Sequence, residues 1–79
     1  MDIHRSALRH GLAEGDIRHA VDNSIAVADL DPDADPPKML VIGPDLAGNL
    51  LEVVLLDLED DVLAIHAMAL RATFYDLLP

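Results

Sequence analysis

Seventy-nine residues suffice for one small domain, and the absence of cysteine excludes disulfides and thiolate metal sites. Fifteen Asp and Glu against five Lys and Arg leave a net charge of −10, which excludes generic binding to phosphate backbones and confines any RNA contact to a local cluster or a basic partner. The chain is 52% hydrophobic with one Phe, one Tyr and no Trp, so its core must be aliphatic and its surplus apolar surface points to a partner chain or a homodimer.

Residues 2–9, DIHRSALR, place Ile3, Ala7 and Leu8 on one helical face and Arg5 and Arg9 on another, which predicts a short helix. Gly11, after His10, is a natural stop for it. A second helix is expected over 13–22, burying Leu12, Ile17, Ala20 and Val21, with Glu14 and Asp16 at the end of the helix dipole that favours negative charge. SIAVA, residues 24–28, reads as a short edge strand. In DLDPDADPP, residues 29–37, alternating aspartates and three prolines predict a solvated loop.

The period then changes. KMLVIG (38–43), NLLEVVLLDL (49–58) and VLAIHAM (62–68) are strand-like runs separated by the turn sequences GPDLAG and EDD. Short connections predict an antiparallel meander. The middle run is apolar on both faces apart from Glu52 and Asp57, as expected of a central strand. ALRATFYDLL, residues 69–78, has the spacing of a short terminal helix. The expected fold is a single α+β domain, 1–79: two N-terminal helices, a three- to four-stranded antiparallel sheet and a C-terminal helix. No apolar run approaches a membrane span and no leader opens the chain, so a soluble cytoplasmic protein is the expectation.

Asp29, Asp31, Asp33 and Asp35 resemble a calcium loop, but positions six and twelve counted from Asp29 hold Ala34 and Leu40, where glycine and glutamate are required. The four histidines, His4, His10, His19 and His66, make no paired zinc motif, and GPDLAGN lacks the lysine of a phosphate loop. No metal or cofactor is implied. There remain Arg9, His10, His66 and Arg71, joined by Lys38 and Tyr75. His66 shares its expected strand face with Val62, Ala64 and Met68; it is a functional residue if that face is open, and a core histidine if helices cover it. Arg71 is expected in the first turn of the last helix, a poor place for a cation, which hints at an acidic partner or a phosphate.

RHGL, GDIRHAV, VIG and IHAMALRATFYDLL, in this order over nearly the whole chain, resemble the BrnT-type toxins of bacterial type II toxin–antitoxin systems. The resemblance implies a RelE-like α+β fold, RNA cleavage without metal, and neutralisation by a basic antitoxin carrying a ribbon-helix-helix domain. In such chemistry the RNA 2′-hydroxyl attacks the adjacent phosphate, while the protein moves protons and stabilises charge. His10 stands at the family's corner histidine with Arg9 just before it, and His66 at the serine of an I-S-A-R motif. Met68 replaces that motif's arginine, and Arg71 is the nearest cation. On this reading His10, His66 and Arg71 are catalytic, and Arg9, Lys38 and Tyr75 bind substrate. Composition carries a rival: a non-enzymatic acidic module, alone or as a homodimer, that docks a basic protein.

Overall fold

The computed structural model describes residues 1–79. Strand β1 (Asp2–Ile3) leads through a 3₁₀ turn at Arg5–Leu8 to helix α1 (Glu14–Asp22). Four strands follow, β2 (Ala26–Asp31), β3 (Lys38–Pro44), β4 (Leu50–Asp57) and β5 (Val62–Ala69), and a second 3₁₀ turn, Ala72–Leu77, ends the chain. The sheet order is β1-β5-β4-β3-β2. Strands β2 to β5 form an antiparallel meander, and β1 runs parallel to β5 along its outer side.

This is a small mixed α/β domain with one α-helix and five strands. It overturns the expected two N-terminal helices on a three- to four-stranded antiparallel sheet, and the RelE-like layout falls with them. At the N-terminus the apolar spacing is helical, but the stretch is too short to nucleate a helix unaided. Asp2 and Ile3 instead pair with Leu63 and Ala64. The His4 ring then accepts the Ser6 backbone N–H at 3.1 Å, and the Ser6 hydroxyl donates to the Ile65 carbonyl at 2.6 Å. Local side-chain bonds of this kind compete with helix formation. At the C-terminus β5 continues to Ala69, and Arg71 is extended, with φ −90° and ψ 151°. The next six residues, Ala72–Leu77, form a 3₁₀ turn, and the expected helix over 69–78 does not form.

Helix α1 covers one face of the sheet, where Ile17 and Ala20 pack with Val41, Leu51, Val53, Leu55, Ala64 and Ala67. Its approach is close: a Cβ on Gly43 would overlap the Ala20 carbonyl. On the opposite face Leu40, Ile42, Glu52 and Val54 are buried, and the C-terminal 3₁₀ turn reaches across to β2. A bulge in β5 decides which residues meet that face. Val54 pairs with His66 but Leu55 with Ala64, so Ile65 is the extra residue. An extra residue breaks the alternation. Ala64 therefore joins the α1 face, contrary to the expected face shared with His66. No helix is long and apolar enough to cross a membrane.

Candidate functional site

Glu52 lies in the middle of β4, between Ile42 on β3 and Met68 on β5, with no exposed surface. A charge in that position needs partners, and Glu52 has four. The Arg71 backbone N–H and Nε each donate to Oε1 at 3.0 Å, Arg71 Nη2 donates to Oε2 at 2.7 Å, and His66 Nε2 lies 3.0 Å from Oε2. No buried side-chain polar atom in the protein lacks a partner. Burial pushes the Glu52 carboxyl up, but the Arg71 guanidinium, the Arg71 backbone N–H and His66 outweigh it and hold the group below its ordinary value. Glu52 in turn holds Arg71 more firmly protonated. The arginine that looked misplaced at a helix start is an extended residue bound to an internal carboxylate.

An ionised carboxylate only accepts hydrogen bonds, so His66 Nε2 carries the hydrogen directed at Glu52. In the neutral ring Nδ1 is then the free acceptor. The His10 ring stands edge-on to His66, with centroids 5.5 Å apart and planes at 78°. His10 is exposed at the end of the first turn, just before Gly11, whose φ of 81° reverses the chain into α1. That turn is tied to β5 by the Ser6 bond and by the His4 N–H, which donates to the Ala64 carbonyl at 2.8 Å. The Arg71 guanidinium lies over the Phe74 ring, 5.6 Å from its centroid. Two of its nitrogens face Glu52, and Nη1 remains uncommitted on a side chain that is 52% exposed.

The charge around these residues differs from that of the molecule. No acid stands between Asp2 and Glu14, or between Asp61 and Asp76, and the first turn packs against β5, which belongs to the second stretch. The two stretches hold Arg5, Arg9 and Arg71 of the five Lys and Arg, and His4, His10 and His66 of the four histidines. Two acid-poor stretches holding three of the five cations therefore lie against each other on an acidic protein, with Glu52, paired to Arg71, the acid between them.

Of the residues singled out in the sequence, His66 and Arg71 bind Glu52, His10 stands against the far side of the cluster at the His66 ring, and Arg9 adjoins His10 on the exposed turn. Lys38 does not join them. It begins β3 four residues before Ile42, the partner of Glu52, about 13 Å along the strand. Tyr75 lines a shallow groove with Leu50, Leu70 and Leu78. His19 is committed to the Pro44 carbonyl at 2.8 Å. No group of three or more His, Asp or Glu side chains, the aspartate loop included, is arranged to hold a metal ion. Glu52 is the site residue that sequence reasoning missed. Its signal was one acid in the middle of an apolar central strand, a position that is rarely buried without a partner.

The chain matches no protein-family model, no curated protein and no solved structure.

Proposed function

We propose that the chain is the toxin of a toxin–antitoxin pair, acting as a metal-independent ribonuclease on a fold other than the expected RelE-like one, with the His66–Glu52–Arg71 cluster and His10 as its site. The observation that carries this reading is the buried carboxylate. Glu52 fixes His66 through Nε2, leaves Nδ1 as the free basic nitrogen, and keeps Arg71 beside it.

Neutral His66 accepts the proton of an RNA 2′-hydroxyl as that oxygen attacks phosphorus. Protonated His10 delivers a proton to the 5′-oxygen as the P–O5′ bond breaks. The products are a 2′,3′-cyclic phosphate and a 5′-hydroxyl, with His66 protonated and His10 neutral; a proton exchange with water restores both. Arg71, through Nη1, and Arg9 stabilise the charge on the non-bridging oxygens. Glu52 touches no substrate and is a positioning residue. A basic antitoxin would be the partner of this activity, offsetting the charge of −10.

The test is incubation of the purified chain with single-stranded RNA in a chelator, with analysis of the new ends. Cyclic phosphate ends are expected, with losses of about 10²–10⁴-fold on His66→Ala and on His10→Ala. Glu52→Gln should shift the pH profile of cleavage while leaving both imidazoles present. Folded wild-type chain that leaves RNA intact, or His66→Ala that cleaves as well as wild type, overturns the reading.

A further inference from the structure

We infer that the outer edge of β2 docks an extended basic segment of a partner protein, which joins the sheet as a sixth strand. β2 ends the strand order, so every second residue turns its backbone N–H and C=O away from the sheet. Side chains along this edge are unusually apolar for a free surface: Ile25 is 45%, Val27 61% and Leu30 45% exposed. Ile25 precedes the strand, and Val27 pairs with Val41 on the face that carries α1, while α1 itself packs over β3 and β4. Strand pairing would cover these groups and satisfy the free backbone together.

Charge selects the occupant. Asp29 and Asp31 lie on β2, Asp33 and Asp35 follow, and Asp35 shares a recess with Asp57 and Glu59. No Lys or Arg occurs between Arg18 and Lys38. A second copy would bring the same aspartates and a further charge of −10 to the edge, and like charges across strands destabilise pairing. A lysine- or arginine-rich segment neutralises them instead. The irregularity between Asp29 and Asp31 marks where regular pairing ends, so the usable stretch is Ile25 to Asp29. Ile25, Val27 and Asp29 alternate along one face. A complementary strand therefore sets apolar residues beside the first two and a cation beside the third. This surface does not depend on the ribonuclease reading, and its test involves no RNA.

The experiment titrates the isotope-labelled full chain with an acetylated peptide of lysine and valine, about seven residues long to match an ordinary strand, in which one face carries two valines and one lysine at every second position and the remaining positions are lysine. Backbone amide shifts should concentrate on Ile25–Asp31 and cross-strand contacts should appear there. The same peptide with a central proline should bind about tenfold more weakly, because proline removes a ladder donor. A glutamate–valine peptide should not bind. Val27→Ser, which removes an apolar contact at an exposed position without adding charge, should retain the fold and lose about fourfold in affinity for the basic peptide. Shifts scattered over the acidic surface, equal binding of the proline peptide, or sedimentation showing a dimer already paired through β2 would overturn the inference.

Discussion

The three side chains of the Glu52 cluster, Glu52 itself, Arg71 and His66, differ in what they lose when it is broken. Glu52 has no access to water, whereas the Arg71 side chain is half exposed and His66 is 28% exposed. Arg71→Ala leaves the carboxylate buried with only His66 and one backbone N–H, and should be more destabilising than Glu52→Gln at neutral pH. Glu52→Gln lets Arg71 rehydrate and keeps a polar group in place, so about 1–2 kcal/mol is expected. Denaturant titrations of the two variants give the order, and a larger loss in Glu52→Gln would contradict it. The same residue sets an acid limb. Its folded-state pKa is depressed, so the unfolded chain binds more protons and stability rises with pH in that window. The contribution is full above the ordinary value of 4.5 and is lost as pH falls through the folded value. Glu52→Gln should flatten this limb in thermal melts at a series of pH values. Part of it should survive through Asp61, which is held low by the Val62 N–H and the amino terminus.

At the scale of elements, what could be read locally was what repeats over several residues. The expected helix at 13–22 and the runs at 38–43, 49–58 and 62–68 correspond to α1, β3, β4 and β5, because each carries its own period. β1 has two residues and takes its identity from Leu63 and Ala64, some sixty positions away, where no local pattern points. The site divides in the same way. His66 and Arg71 stood out along the last strand and just past it, and His10 through the resemblance, but what joins His66 to Arg71 is Glu52, 14 and 19 positions from them. The Ile65 bulge and the Ser6 bond to its carbonyl are equally non-local. Ser6→Ala should cost about 1 kcal/mol and raise amide exchange in residues 4–10, because the turn bearing His10 loses an anchor. Gly43→Ala should be far more damaging. The added methyl meets the backbone of Ala20, which no side-chain rotation can move, so α1 must lift from β3 at a cost of about 3 kcal/mol or more by chemical denaturation.

At the scale of the whole molecule, a net charge of −10 competes with the three arginines of the acid-poor first turn and C-terminal stretch. The competition has a measurable form. Each phosphate neutralised on a single strand contributes about −0.7 to the slope of log K against log salt. Arg5, Arg9 and Arg71 together therefore limit the slope for single-stranded RNA to about −2, even though Arg71 is shared with Glu52. Fluorescence anisotropy at pH 8 with a short labelled oligonucleotide over a salt series measures it. A slope near −2 that falls towards −1 in an Arg5→Ala/Arg9→Ala double variant would place the RNA on the first turn and β5. A slope of about −5 would require more cations than this face holds, and would shift the contact elsewhere or into an oligomer. The opposite sign is expected for folding. Salt screens the repulsion among the remaining acidic groups, so thermal stability should rise with ionic strength while RNA affinity falls. Opposite responses in one buffer series separate a local basic site from a weak, uniform attraction, because only a local site binds anions against the field of the whole protein.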